Sequence, residues 1–212
     1  PVWGLSVTIP HKEAVMSACD GLTDEARDVG AVNTLFWRDG ELWGDNTDVA
    51  GFMAPLEGRV KPGQRAVVLG AGGAARAVLA GLRRLGLTEV VVASRSIERT
   101  EALCREFDCV PVAWEDRVRR QVDLLVNATP LGMQGEREGL SPWPADGFGL
   151  GLTAYDLVYR PLRTRFLREA EAAGCAVITG LEMFLGQAAL QFARWTGLPF
   201  PWDEARELLR GA

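Results

Sequence analysis

Short apolar runs and longer amphipathic stretches alternate along most of this chain. The runs fall near 65–69, 89–93, 109–112, 122–127, 152–158 and 175–178. Apolar residues recur at helical spacing near 74–85, 97–107, 163–173, 181–196 and 202–210. Such β-α alternation predicts a parallel sheet covered by helices on both faces. The stretch 133–151, rich in Gly and Pro, predicts a long loop of the kind that is often functional.

The first sixty residues follow another pattern. Residues 2–9 read as a strand that ends at Pro10, and 11–19 suit a helix. Thr23 or Asp24 caps a further helix. Residues 31–37 form a strand, Arg38-Asp39-Gly40 its hairpin turn, and 41–44 the return. Thr47 or Asp48 then caps a helix through Phe52. The change of pattern near residue 60 predicts a first domain over 1–60 and a second over 61–180. The helices of 181–212 are expected to pack back on the first domain.

The most informative segment is 65–96. An apolar run leads into Gly70-Ala71-Gly72-Gly73-Ala74-Ala75-Arg76, a helix follows, and a second run ends in Ser94-Arg95-Ser96. Strand, glycine turn, helix and strand is the layout that cradles a dinucleotide. Gly70 permits the tight turn, Gly72 removes a Cβ that would block the pyrophosphate, and Ala75 allows close helix-strand packing. The helix N-terminus offers free N–H groups to the phosphates. At the end of the second strand an NAD site places Asp or Glu on the ribose 2′-hydroxyl. Ser94, Arg95, Ser96 and, one turn on, Arg99 suit a 2′-phosphate instead. NADP is therefore the expected cofactor. Arg99 also reads as an ordinary surface arginine at a helix start.

Composition narrows the class. The chain has 212 residues, 48% hydrophobic and 24% charged, as in a soluble globular protein. A net charge of -5 and the lack of a basic tract argue against nucleic acid as a partner. No apolar run reaches membrane-spanning length and no signal peptide is read, so neither a membrane nor secretion is expected. Cys19, Cys104, Cys109 and Cys175 make no C-x-x-C pair, and the chain has one histidine, so no metal site is expected. The cysteines read as small core residues or free thiols of a reducing cytoplasm.

The basic residues are almost all arginine, and Lys12 and Lys61 are the only lysines. Lysine can exchange a proton when its pKa is lowered, and arginine cannot. Lys61 precedes Pro62 and Gly63 in an exposed turn. Lys12 lies among polar residues at strand and helix edges: Ser6, Thr8, Asn33, Asn46, Thr47 and Asp48. Read alone, Asp48 serves equally well as an N-cap. A lysine and an aspartate on different elements could instead meet across a cleft and manage a proton at a hydroxyl or carbonyl. Beside a dinucleotide domain, that pair suggests hydride transfer coupled to proton transfer.

Several segments occur in a fixed order. They are Ser6-Val7-Thr8-Ile9-Pro10-His11-Lys12, Gly30-Ala31-Val32-Asn33-Thr34 and Gly44-Asp45-Asn46-Thr47-Asp48, then Gly70 to Arg76. Asn127-Ala128-Thr129, Asp156-Leu157-Val158-Tyr159-Arg160-Pro161, Gly180-Leu181-Glu182-Met183 and Gln187 follow. Together they resemble the shikimate dehydrogenases, NADP-dependent enzymes that interconvert 3-dehydroshikimate and shikimate. The resemblance implies an α/β fold, with a substrate domain followed by a Rossmann-like NADP-binding domain. It implies Lys12 as the catalytic lysine and Asp48 as its partner. Thr8, Asn33, Asp48, Tyr159 and Gln187 would bind the substrate. Gly70, Ala71, Gly72, Gly73 and Ala74 would hold the pyrophosphate, and Ser94, Arg95, Ser96 and Arg99 the 2′-phosphate. Leu157 and Gly180 would line the nicotinamide end. A monomer or homodimer is expected.

There are departures from the family's pattern. Its leading segment, with a Ser-x-Ser motif for the substrate carboxylate, has no counterpart here. The expectation is a partial N-terminal domain short by about 50 residues, the size of one or two β-α units. The first sheet would then expose an unpaired edge. Ser6 and Ser94 stand where the family generally has Asn. A quinate-type dehydrogenase and a truncated, non-catalytic NADP-binding relative are the alternatives.

Overall fold

The computed structural model describes residues 2–119 and 121–210. The outer domain limits drawn at residues 1 and 212 lie outside the described residues. The first sheet holds β1 (Gly4–Ser6), β2 (Gly21–Leu22), β3 (Thr34–Arg38) and β4 (Glu41–Asp45), in the order β1-β3-β4-β2. β3 and β4 form a hairpin whose turn residues Asp39 and Gly40 both have positive φ, 53° and 86°. That is the backbone a two-residue turn needs to match strand twist. α1 (Asp24–Val29) starts at Thr23, whose hydroxyl accepts from Ala26 N, and stops at Gly30 in the left-handed region. α2 (Asp48–Met53) follows β4.

Three expectations for this part are corrected. The strand over 2–9 shrinks to Gly4–Ser6, an edge strand on which Leu5 is exposed, as is Trp3 just before it. The helix over 11–19 is a 3-10 helix at Ala14–Ala18, none of whose residues is buried. Val15, Met16 and Cys19 are only partly buried against Ala26, Val32 and Leu35, which gives a longer helix little packing to sustain it. The strand over 31–37 starts only at Thr34. Val32 N donates instead to Lys12 O (2.7 Å), which ties this segment to the loop that carries the lysine.

The second sheet has six strands. They are β5 (Arg65–Leu69), β6 (Glu89–Ser94), β7 (Val110–Ala113), β8 (Leu124–Asn127), β9 (Thr153–Asp156) and β10 (Ala176–Ile178). Their order is β10-β9-β8-β5-β6-β7, with every pair parallel. Val68, Leu124 and Val126 are fully buried at its centre. α3 (Gly73–Arg84), α4 (Ile97–Phe107) and α5 (Arg165–Ala172) are the crossovers. α3 turns Ala75, Val78 and Leu82 inward, spaced as one helix face requires. Strand order reverses between β5 and β8, so the loops that leave them diverge and open a crevice at the carboxyl edge.

α6 (Gly180–Thr196) and α7 (Trp202–Arg210) end the described chain. α6 lies against α2 of the first part. A Cβ at Gly51 would come within 2.8 Å of Gln187 N and Met183 O, and one at Gly186 within 3.0 Å of Gly51 Cα. The two helices thus touch backbone to backbone. Phe52, next along α2, stacks on Tyr155 of β9 with ring centroids 5.1 Å apart. Gly51→Ala is expected to destabilise the fold by about 1–3 kcal/mol, the usual cost of overpacking. Equilibrium denaturation reads this, and an unchanged midpoint would show that the helices slide apart freely. No helix among the described residues is long and apolar enough to cross a membrane.

Candidate active site

A cavity of about 560 Å³ fills the crevice. Segment 8–13 of the first part forms one wall. The loops after β5, β8 and β9 form the other, with Arg99 at the side. Gly70 has φ 116°, and a Cβ there would lie 2.8 Å from Ala128 O, so the loops after β5 and β8 touch. Only glycine fits that turn. Gly72, Gly73 and Ala74 reach the cavity. Nothing lies within 4 Å of a Cβ at Gly72. Gly72 also begins α3 with no side chain capping it, which leaves the first N–H groups of the helix free for an anion. These residues fit a pyrophosphate.

Lys12 lines the cavity from the first part, and Asp48, buried behind it in the same part, pairs with it. Lys12 Nζ donates to Asp48 Oδ2 in an ion pair whose side chains are 15% and 5% exposed. The other oxygen, Asp48 Oδ1, accepts from Asn33 Nδ2 at 2.8 Å. Asn33 is itself locked: its Oδ1 accepts from Thr47 N (2.8 Å) and Thr34 Oγ1 (2.7 Å). Asn46 Oδ1 accepts from Asp48 N at 3.0 Å. Asp48 is the first residue of α2 and its carboxylate caps nothing, contrary to its reading as an N-cap. The Lys12 stem packs on the phosphate loop, where a Cβ at Gly73 would lie 3.1 Å from Lys12 Cβ.

The remaining candidates divide. Thr8, Leu157 and Tyr159 line the cavity with Lys12. Tyr159 stacks on Phe184, ring centroids 4.4 Å apart. Gln187 is nearly buried behind Asn33; its Nε2 donates to Phe184 O (3.0 Å) and its Oε1 accepts from Asn33 Nδ2 (3.4 Å). Gly180 opens α6 where a Cβ would meet Val158 O at 2.5 Å, so α6 packs directly on the cavity wall. Arg99 lines the cavity, and its Nη2 lies 3.8 Å from Glu13 Oε1 across the mouth. Arg95 is exposed. Ser94 and Ser96 are engaged locally. Ser94 Oγ shares a hydrogen bond with Thr100 Oγ1 (2.7 Å), and Ser96 Oγ accepts from Arg99 N (3.3 Å) as the cap of α4. Gly70 and Ala71 shape the loop from outside the cavity lining.

Two features escaped the residue reading. Gln191, one turn beyond Gln187, donates through Nε2 to Asn33 O (3.0 Å) and Thr34 Oγ1 (2.9 Å). Its spacing of four from Gln187 is the available signal, since both then face one side of α6. The second is a buried polar cluster below the cavity floor. Asp156, fully buried, accepts from Thr164 Oγ1 (2.5 Å), Val158 N (2.9 Å) and Asn127 Nδ2 (2.9 Å). Burial pushes its carboxyl up to about 7, against the opposing pull of Thr164, Val158 and Asn127. The folded state then binds a proton that the unfolded state releases between pH 3.8 and about 7. Its contribution to stability is full below that window and falls as pH rises through it. In Asp156→Asn the slope of Tm against pH across this window should be shallower than in the parent. An equal slope would show that Asp156 is ionised throughout.

A parallel sheet with a glycine loop at its switch point, faced by a lysine-carboxylate pair, defines a nicotinamide-dinucleotide-dependent oxidoreductase. Comparison with known proteins narrows this class. Residues 1–35 match the shikimate dehydrogenase substrate binding domain, 57–130 the shikimate / quinate 5-dehydrogenase family, and 180–210 the shikimate 5'-dehydrogenase C-terminal domain. The shikimate dehydrogenase (NADP(+)) of Oleidesulfovibrio alaskensis is 50% identical, with 100% of this chain covering 77% of that protein. The Thermus thermophilus shikimate 5-dehydrogenase in complex with NADP(H) and shikimate is 45% identical and superposes with a TM-score of 0.86. That superposition covers 98% of this chain and 78% of the other. The Corynebacterium glutamicum quinate dehydrogenase in complex with NAD is 30% identical, with a TM-score of 0.87 over 99% and 78% of the two chains. The chain belongs to the shikimate dehydrogenase family.

Proposed function

We propose that this chain interconverts 3-dehydroshikimate and shikimate with NADP(H). The observation that carries the reading is the Lys12–Asp48 ion pair, whose lysine packs on the phosphate loop and lines the same cavity. When bound, the nicotinamide supplies or accepts the hydride at C3 of the substrate. Lys12 stands where the C3 oxygen would develop negative charge. Its ammonium stabilises that charge and delivers the proton during reduction, and takes it back during oxidation. Asp48 fixes the ammonium and offers its carboxylate to a substrate hydroxyl. Thr8, Asn33, Tyr159 and Gln187 bind the remaining hydroxyls and the ring. The Gly70–Ala74 loop and the α3 N-terminus hold the pyrophosphate, Leu157 and Gly180 border the nicotinamide, and Ser94, Arg95, Ser96 and Arg99 clamp the 2′-phosphate.

Serine in place of a carboxylate at the end of β6, followed by Arg95, supports NADP over NAD, although Glu98 accepts from Ser96 Oγ (2.9 Å) beside the proposed clamp. The free thiols fit a reducing compartment such as the cytoplasm. The test is steady-state turnover, followed by NADPH absorbance, with shikimate or quinate and with NADP⁺ or NAD⁺. The fastest turnover is expected with shikimate and NADP⁺. Faster turnover of quinate would reassign the substrate. Silence on both acids, with NADPH still bound, would make this chain a non-catalytic binder.

A further inference from the structure

The cluster around Asp156 does more than satisfy buried groups. β8 and β9 lie side by side, and their last residues, Asn127 and Asp156, are register partners. From each strand end a loop runs up into the cavity wall. The loop after β8 contributes Thr129 and Met133, and the loop after β9 contributes Leu157 and Tyr159. Asn127 holds the first loop: its Oδ1 accepts from Thr129 N (3.0 Å) and Thr129 Oγ1 (2.6 Å), and its Nδ2 donates to Leu131 O (3.0 Å). The same Nδ2 donates to Asp156 Oδ1, which also accepts from Val158 N in the second loop. Asp156 Oδ2 accepts from Thr164 Oγ1, the cap of α5. One buried carboxyl group therefore joins two wall-forming loops and the start of a helix.

We propose that Asp156 is a positioning residue. Through Asn127 and Val158 N it sets the separation of the two loops that flank the nicotinamide end of the cleft. It touches no ligand and acts through Thr129, Leu157 and Tyr159. The proposal rests on the assignment of this cleft to dinucleotide and substrate. The anion-binding features, Gly72, the α3 N-terminus and Arg99, do not depend on Asp156. Removing its carboxyl should therefore disturb the reacting end of the cofactor far more than its phosphate end.

The test compares the full chain with Asp156→Ala, Asp156→Asn and Thr129→Val. Asparagine keeps Oδ1 for Asn127 and Val158, and its Nδ2 can donate to Thr164 Oγ1 in place of the hydrogen bond that oxygen now gives. Alanine abolishes the joint. Thr129→Val cuts the tie between Asn127 and the first loop's hydroxyl, together with the bond that hydroxyl accepts from Leu131 N (3.2 Å), and leaves Asp156 itself in place. Folding is checked by circular dichroism, and kcat is expressed per NADPH-binding site. Asp156→Ala should lose about 10²-fold in kcat, the scale expected for a misplacement near 1 Å. NADPH affinity should stay within a few-fold of the parent, and the fluorescence of bound NADPH should show a more exposed nicotinamide. Asp156→Asn should recover most of the kcat, and Thr129→Val should fall between. Parent-like kcat and fluorescence in a folded Asp156→Ala, with the change confined to Tm, would overturn the proposal. If Asp156→Ala does not fold, a parent-like kcat in Thr129→Val does so. If the parent itself turns over no shikimate, the assigned reaction fails, and the fluorescence of bound NADPH still decides the role of Asp156.

Discussion

Lys12→Met is expected to lower kcat by about 10²- to 10⁴-fold, the range for loss of a positioned general acid. Methionine keeps an unbranched stem of similar length against Gly73 and removes only the ammonium. Asp48 would lose its cation but keep the hydrogen bond from Asn33, so its carboxylate stays aimed. The KM for shikimate should change little, because in the proposed binding mode the substrate hydroxyls would meet Asn33, Asp48 and Tyr159 rather than the ammonium alone. NADPH binding should be unaffected. Presteady-state hydride transfer separates this from slow product release. Near-normal turnover in the variant would remove Lys12 from the chemistry.

The second large effect concerns cofactor choice. Replacing both Arg95 and Arg99 by alanine should weaken NADPH binding and leave NADH binding nearly unchanged. A hydrogen bond to a charged group is worth about 1.5–3 kcal/mol, or roughly tenfold to a hundredfold per arginine. Part of the Arg99 contribution is offset at the start, since Glu13 lies 3.8 Å away and competes for the guanidinium. Fluorescence titration of both nucleotides, at low and high salt, gives the two constants. Equal losses for NADPH and NADH would show that these arginines do not read the 2′-phosphate.

Much of this arrangement is legible before any coordinates. The second sheet follows from its apolar runs because both faces are covered, and continuous burial writes itself into the sequence as Val and Leu runs. The glycine turn is legible because Gly70 sits at a φ no other residue adopts comfortably. The first sixty residues are harder. β2 is two residues long, too short for any periodicity, and the segment 11–19 buries its apolar residues only partly, so they do not set the length of a helix. Asp48 is ambiguous in sequence because an N-cap and a lysine partner call for the same side chain at the same helix end. Gln191 and Asp156 were missed as supports for a common reason. Each has a decisive partner far along the chain, Gln191 in Asn33 and Asp156 in Asn127. Local pattern holds no trace of such pairs.

The backbone contact between Gly51 and Gly186 has a consequence for how the protein is made. Asn33 and Asp48 are synthesised early, yet the helix that closes over them comes from residues 180–196. Gln187 reaches Asn33 across 154 positions of sequence. Domains fold as units while the chain emerges, N-terminal parts first. Here the first part cannot finish on that schedule. The whole six-stranded sheet is translated before α6 appears, and α2 waits with its glycine face uncovered until then. The lysine side of the cleft is thus begun first and completed last, and contacts of such long range make its closure slow.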